Sequence, residues 1–582
     1  MNIDGRIFHV SRDPYMWQDE DGSVHVRLDA SKGLIKSAEV IFGDKHGLDG
    51  GGDFKKTKMT PYISSSYLDT FVGVIKQEEK TVVYCFRITL KDDSKVLYTT
   101  LGAMSEPSAP LNRSLTDAMF QVCWKFPGER MALPRIGRTQ GVVYQIFPDR
   151  FAVGEPKKSC MQDANLKVGE KPIPRSFFGG DLKGIEEKIP YLKSLGVGTV
   201  YLTPVWKSKS NHRYDVEDYL HVDDRLGGDS ALLSLSKKVH AAGMKLVLDA
   251  VFNHTSYFHP FFQDVVSNGK SSPYYSWYLI QGNKPDLKRR NYDTFAGAGY
   301  MPKLNTENPE VIKYLCSTIR ELTLKFSVDG WRFDVADEVA HAAWFDIRRT
   351  LKSINPDIVM VAEDWLASDN FVDSYQFDGA MNYVLRKIIL DAVASDKPTP
   401  AKVVANRLVN LLLRYSWYSD LSMFNLVASH DVPRLYSMTN ENSDKTLLGT
   451  AIAAVFPGML MAYYGDELKM IGGPDPDNRR PVDWDSSHWD ADYFDRYRAL
   501  LHLKDYSCAN LGRAEIRAES NLLFIVRYDE SQTLTLIANI SDRNGFYTAS
   551  RNESAVASNG VDKRKIKPWG YLVTKVDKGR KY

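Results

Sequence analysis

The stretch GWRFDVADE, residues 330–338, sets Arg332 and Asp334 two apart inside an otherwise apolar segment. On a strand, successive side chains alternate between faces, so Trp331, Phe333 and Val335 pack one way while Arg332 and Asp334 point together the other way. Charges in such a segment are costly to desolvate unless they are paired. The pair reads either as a structural salt bridge or as a working carboxylate with its arginine. The rest of the chain decides between them.

Short apolar runs of the same kind recur on both sides of this one. They are VVYQIF (142–147), TVYLTPV (199–205), KLVLDAV (245–251), DGWRFDV (329–335), IVMVAEDW (358–365), FDGAMN (377–382), FNLVASH (424–430) and MLMAYYGDE (459–467). Helix-like segments such as GIEEKIPYLKSLG and ALLSLSKKVHAAG lie between most of them, and the second closes on a glycine just past its last turn. Alternating strands and helices of this number predict an α/β fold, a (β/α)8 TIM barrel over residues 121–505, with strands buried on both sides. A doubly wound open sheet is the alternative, but no GxGxxG follows the first strand. The connection from Asn253 to about Leu304 is long and rich in aromatics, which predicts an inserted subdomain, 253–305, after strand 3.

The flanks read differently. In the first hundred residues HVRLDA alternates, VVYCFRITL is β-branched and aromatic, and KDDSK precedes VLYTTL like a hairpin turn. An N-terminal β-sandwich is expected over 1–120, its strands ending near Leu101, with Gly102–Gln140 as a packed linker. AEIRA, LLFIVRY and TLTLIANI predict a C-terminal β-sandwich domain over 506–582.

The chain has 582 residues, 43% apolar and 25% charged, with a net charge of +2. That balance excludes no soluble enzyme class but gives no reason to expect nucleic acid or an anionic membrane as partner. No apolar run approaches the ~18 residues of a membrane span, and the N-terminus carries charges where a signal peptide needs an apolar core. The five cysteines (Cys85, Cys123, Cys160, Cys316, Cys508) lack CxxC spacing, so a reducing cytoplasm is expected.

Chemistry in such a barrel sits at the C-terminal ends of the strands. There Asp249 and His254 follow strand three, Arg332 and Asp334 lie on strand four, Glu363 ends strand five, and His430 and Asp431 end strand seven. A lone aspartate at a strand end is usually a helix cap or loop anchor. Seven polar groups on one rim would repel one another and be desolvated without a task. Several carboxylates in one concave site suit glycosyl transfer: one attacks the anomeric carbon, one protonates the leaving oxygen, and a third holds the sugar. Arg332 is expected to keep Asp334 anionic, and Glu363, after IVMVA, is placed for the protonated role. A metal hydrolase competes poorly, since no HxH or HExxH pair occurs.

With these residues in view, the chain resembles the α-amylase family of glycoside hydrolases over nearly its whole length. DAVFNH (249–254), GWRFDVADE (330–338), AEDW (362–365) and ASHD (428–431) look like the family's shared segments. The resemblance implies Asp334 as nucleophile, Glu363 as general acid/base and Asp431 as the transition-state-stabilising carboxylate. It implies substrate contacts at Arg332, His254 and His430, a supporting Asp249, a stacking Tyr214 in HRYDVEDY, and a further contact at His212. MPKLN (301–305) and GGPDPDNRRPVDW (472–484) are similar to the cyclomaltodextrinase, neopullulanase and maltogenic amylase subgroup. There Asp475 and Arg479 match positions that bind further sugars, and Glu338 meets the acceptor. The subgroup carries N- and C-terminal β domains, and its N-terminal domain more often forms a dimer contact that narrows the cleft.

The implied protein is a cytoplasmic homodimer acting on α-glucan oligosaccharides, with no nucleic acid or membrane partner. It would retain configuration while cutting α-1,4 bonds in cyclodextrins, maltooligosaccharides and pullulan, with some transglycosylation. An α-1,6-glucosidase of the same family and a noncatalytic glucan-binding or transporter-accessory protein are the alternatives. Departures are local. The acid/base segment usually reads GEIWH where AEDWL stands here, and Asp364 is expected on the face opposite Glu363. Asp337 replaces the usual Asn. VGEP (153–156) stands where a calcium-associated NGDP-like stretch would be, so no metal ligand is assigned and no cofactor is expected. Trp206 and Trp365 read equally as sugar platforms or rim packing, and PYYSWY (273–278) as core of the insert.

Overall fold

The structure, a computed structural model, describes residues 5–19, 21–44, 54–76, 82–105, 118–122, 141–154, 165–372, 375–548 and 553–578. Eight parallel strands make the central sheet: β1 (Val142–Ile146), β2 (Thr199–Leu202), β3 (Lys245–Ala250), β4 (Gly330–Phe333), β5 (Val359–Ala362), β6 (Gly379–Ala380), β7 (Phe424–Leu426) and β8 (Met459–Tyr463). Their order, β6-β5-β4-β3-β2-β1-β8-β7, closes where Met381 bridges Phe424 in parallel, which makes the sheet a barrel. Every strand residue but Lys245 is buried, as strands covered on both faces require. Each strand is shorter than its apolar run, because the last residues of the run already belong to the loop that carries the chemistry. Gly330 opens β4 because a Cβ there would sit 2.3 Å from Val359 Cγ1.

The helices follow their capping signals. The run GIEEKIPYLKSLG is two short helices, Leu182–Glu187 and Ile189–Ser194, split where Pro190 removes a backbone donor. Gly228–Ala241 ends as read, with Gly243 at φ 79°. The segment between Asn253 and Leu304 packs as a small subdomain around Phe261, Phe262, Trp277, Tyr278 and Tyr292; Phe261 stacks on Tyr274 with centroids 4.2 Å apart. PYYSWY is therefore core of the insert.

Two antiparallel sheets form the N-terminal sandwich, with Val24–Ser31 against Leu68–Ile75 in one and Ile35–Asp44 against Val82–Leu90 in the other. Phe86 faces Tyr98 across the hairpin expected at KDDSK. The sandwich does not stop at Leu101: Gly102–Ser105 continues its second sheet, and Phe120–Val122 pairs with Val82–Tyr84. The remainder of the expected linker lies largely outside the described residues, as do Glu155 and Pro156 of VGEP. Arg27 of the sandwich donates to the Leu413 carbonyl of the barrel at 2.8 Å. The C-terminal domain is a six-stranded antiparallel sheet running from Arg513 to Asp577. Leu523, Ile525, Leu534 and Leu536 on one of its faces join the barrel's own core.

Candidate active site

The site is built from one end of the barrel. Arg332, fully buried inside the barrel on β4, reaches four carboxylates. Its Nη1 lies 3.0 Å from Asp249 and 2.8 Å from Asp334, and its Nη2 lies 2.9 Å from Glu363 and 3.7 Å from Asp431. Asp249 comes from β3, Asp334 from just past β4, Glu363 from just past β5, and Asp431 from the loop after β7. A planar guanidinium can serve two sides at once, which an ammonium cannot.

The layer beneath fixes tautomers and protons. Gln145 donates through its amide to His430 Nδ1 at 2.9 Å, so the His430 proton sits on Nε2. That N–H meets the Tyr214 hydroxyl, which in turn donates to Asp249 Oδ2 at 3.0 Å; Tyr201 donates to the same oxygen at 2.8 Å. Burial holds His430 well below the ordinary histidine range, so it stays neutral. The rings of His430 and Tyr214 lie 2° from parallel with centroids 5.4 Å apart.

Above this floor opens a cleft of about 560 Å³. Of the residues singled out in the sequence, Asp334, Glu363, Asp431, His212, Tyr214, His254, Glu338, Asp475 and Arg479 line it. Asp249, Arg332 and His430, expected as substrate contacts or support, lie beneath the floor and are closed to solvent. His254 stacks on Phe295 at 5.1 Å, and among the described residues its Nε2 has no hydrogen-bond partner. Burial lowers it to about 3, which leaves a neutral ring facing the cleft. His212 is likewise lowered to about 4 by burial. Asp475 pairs with Arg479 at 2.9 Å, while Arg479 also stands 3.6 Å from Asp431. Glu338 is held by Lys303 at 3.0 Å and Asn253 at 3.3 Å.

The electrostatics correct one expectation. Arg332 does contact Asp334, but it is shared among four carboxylates. Burial, together with Glu363, Asp249 and Asp431, pushes the Asp334 carboxyl above the usual range against the pull of the arginine. Burial and the neighbouring carboxylates raise Asp431 to about 7. Asp431 and its buried neighbours therefore share protons near neutral pH. Glu363 is fixed by two donors, the Val335 backbone N–H at 2.9 Å and the Trp365 indole N–H at 3.0 Å. To present that N–H, Val335 adopts φ 46°, a left-handed conformation that a β-branched residue rarely takes.

Strand alternation misplaced Asp364. β5 ends at Ala362, so Asp364 is free of the pleat and lines the same cleft as Glu363. The two tryptophans separate. Trp206 is buried against Trp331 and donates to the Asp249 carbonyl. Trp365 is 53% exposed over the cleft and stacks on Tyr383 at 5.1 Å. Phe295, Tyr300 and Leu366 also line the cleft, as does Met301 at the head of MPKLN; the aromatic surplus of the long insert is the only signal in the sequence for the first two.

A carboxylate cluster at the C-terminal mouth of a (β/α)8 barrel, with aromatic walls, defines a glycoside hydrolase. The chain belongs to the α-amylase family of these enzymes: its residues 145–528 match the alpha amylase catalytic domain and residues 1–122 the alpha amylase N-terminal ig-like domain. It is 34% identical to a cyclomaltodextrinase of Geobacillus thermopakistaniensis, over 92% of this chain and 91% of that one. It is also 34% identical to a maltogenic alpha-amylase of Bacillus acidopullulyticus, over 94% and 93% of the two chains. A solved cyclomaltodextrinase structure superposes with a TM-score of 0.87 at 28% identity, covering 99% of this chain and all of that one.

Proposed function

We propose that the protein cleaves α-1,4-glucosidic bonds of cyclodextrins, maltooligosaccharides and pullulan with retention of configuration, and transfers part of the product to sugar acceptors. The carrying observation is the Arg332 clamp, which holds Asp334 and Glu363 on the two terminal nitrogens of one guanidinium. Contacts of 2.8 and 2.9 Å to one guanidinium bring both carboxylates to one place in the cleft, as a nucleophile and an acid acting on the same glycosidic bond require.

In the first half-reaction Asp334, ionised when the shared protons rest on the other carboxylates of the cluster, attacks the anomeric carbon with one oxygen as that carbon's bond to the glycosidic oxygen breaks, and Glu363 delivers the proton to the departing oxygen. In the second, Glu363 takes a proton from water or a sugar hydroxyl, which attacks the same carbon and releases Asp334. Asp431, His254 and Arg479 hold the sugar in the cleavage subsite. Tyr214 stacks beneath it, and His212, Asp475 and Glu338 serve its flanks. Asp249, Arg332 and His430 act from below by fixing Tyr214 and the carboxylates. The reading assigns the barrel to 121–505 with its insert at 253–305, between domains 1–120 and 506–582. It further holds that no cofactor is required and that the molecule is a cytoplasmic homodimer. Among the described residues Cys85, Cys316 and Cys508 are free thiols. Among the described residues no helix is long and apolar enough to cross a membrane.

Product analysis on cyclodextrin, pullulan and soluble starch tests this reading. Maltose and panose are expected, with each rate falling by a factor of about 10³ or more in Asp334→Asn and Glu363→Gln. Full activity in either variant removes its assigned role, and cleavage of α-1,6 bonds alone would move the enzyme to another specificity of the same family.

A further inference from the structure

A second groove, larger than the catalytic cleft at about 800 Å³, lies where the C-terminal sheet meets the barrel helices. Its walls come from three places: the turn around Asp396, the Thr439–Asn440 turn with Lys445, and the C-terminal residues Ser520, Asn521, Ser541 and Trp569. None of them lines the catalytic cleft.

The backbone around this groove is held in costly conformations. Asn440, Ser520 and Trp569 all have left-handed φ, at 55°, 54° and 61°. Asparagine and serine tolerate this in turns, but a tryptophan does not adopt it without being made to. The forcing device is visible. Asn539, fully buried on the adjacent strand, donates to the carbonyls of Ile566 and Lys567 at 3.0 and 2.9 Å, fixing the start of the bulge that ends in Trp569. Asn521 holds Asn539 in place by donating to its oxygen at 2.8 Å. Lys445 then sits 4.5 Å over the indole and sets the ring's orientation. Trp569 is half-buried: part of the ring packs against the main hydrophobic core, and the rest lines the groove beside Lys445.

The lining selects the ligand. It offers one aromatic plate, a set of neutral hydroxyls and amides, and two carboxylates, Asp396 and Asp542, against one lysine. That surface repels phosphates and other anions but suits an uncharged, polyhydroxylated chain, whose C–H faces stack on indole while its hydroxyls take the polar rim. We infer that this groove binds an α-glucan chain outside the catalytic cleft, with Trp569 as its stacking platform. The inference rests on the proposed reading that the enzyme handles α-glucans, and adds a second point of attachment for long ones. A chain held at both places would be retained between cuts by effective concentration.

The test is affinity electrophoresis through gels containing soluble starch, in an Asp334→Asn background so that the gel is not digested. It is paired with kcat/KM on maltotriose and on soluble starch in the otherwise wild-type enzyme. Trp569→Gly suits the left-handed position, so it removes the ring without straining the backbone. Retention is expected to fall about fivefold, the loss of one aromatic contact, with kcat/KM falling on starch and unchanged on maltotriose. Asp396→Ala, on an exposed turn, should lower retention in the same direction, and Trp569→Phe should restore most of it. Unchanged retention in both Trp569→Gly and Asp396→Ala would overturn the inference. So would a Trp569→Gly variant that changes oligomeric mass but not retention, which would make the groove a contact between copies of the chain. A wild-type enzyme that hydrolyses no glucan would instead remove the underlying reading, whatever the gels show.

Discussion

Arg332 Nη1 stands 2.8 Å from Asp334 Oδ1, two residues along the same chain segment, and both side chains turn toward the barrel mouth. The contact is one arm of a clamp whose other arm holds Glu363. Arg332→Lys keeps the charge but cannot serve two carboxylates in one plane. It should fold and lose about 10²-fold or more in kcat/KM. Arg332→Ala takes the cation from buried Asp249, Asp334 and Glu363 and should cost about 3–5 kcal/mol of stability. Chemical denaturation beside kinetics separates the two effects; full activity in the lysine variant would reduce the clamp to a mere counter-charge.

Asp431 carries a testable pH signature. Its carboxyl is raised to about 7 in the folded protein, chiefly by burial, against ~4 in an unfolded chain. A raised carboxyl contributes stability that is fully present below pH ~4 and is lost as pH climbs through about 7. Asp431→Asn has no such proton to lose. The melting temperature of the variant minus that of the wild type should therefore grow more positive from pH 5 to pH 8, by on the order of 2 kcal/mol in stability. A difference that stays flat across that range would show Asp431 already ionised at pH 5.

Val335 holds its N–H toward Glu363 at the expense of a left-handed φ. Val335→Gly removes that strain, and the melting temperature should rise by the equivalent of about 1 kcal/mol. The same change loosens the donor that positions Glu363, so kcat should fall while KM changes little. A variant that gains stability with no loss of kcat would mean that the strained residue is incidental to the acid/base group.

Phe295 reaches the cleft from the inserted subdomain and stacks on His254. Phe295→Ala leaves the carboxylates untouched but frees the histidine ring. The expected result is a KM raised about tenfold, the loss of a well-packed aromatic contact, with a smaller change in kcat and an unchanged melting temperature. Equal losses in kcat and kcat/KM with no change in KM would place Phe295 in transition-state stabilisation instead.

Much of this was legible in residue order alone. Apolar runs ending in Asp249, Asp334, Glu363 and Asp431 announced both the barrel and the end at which its chemistry sits, because a strand buried on both faces admits charges only at its tip. Legibility failed where the pleat stops. Alternation sends Asp364 to the wrong face, since β5 ends two residues before it. Phe120–Val122 looks like linker in the sequence because its pairing partner, Val82–Tyr84, is far away along the chain. The charge balance beneath the cleft was also out of reach. Asp334 and Arg332 can be seen as neighbours in the sequence, but that one arginine serves four carboxylates is a fact of the closed barrel.

Once it sheds its shared protons, that four-to-one cluster is a counterion waiting for its cation. A glucose unit enters neutral and becomes positive only as the glycosidic bond stretches. The site is thus matched in charge to a species that exists for the duration of a bond-breaking event, and mismatched to the substrate on either side of it. Sugar-shaped bases that carry a permanent ammonium at the ring would meet the deficit at once, and would grip most tightly where the cluster has shed its stored protons.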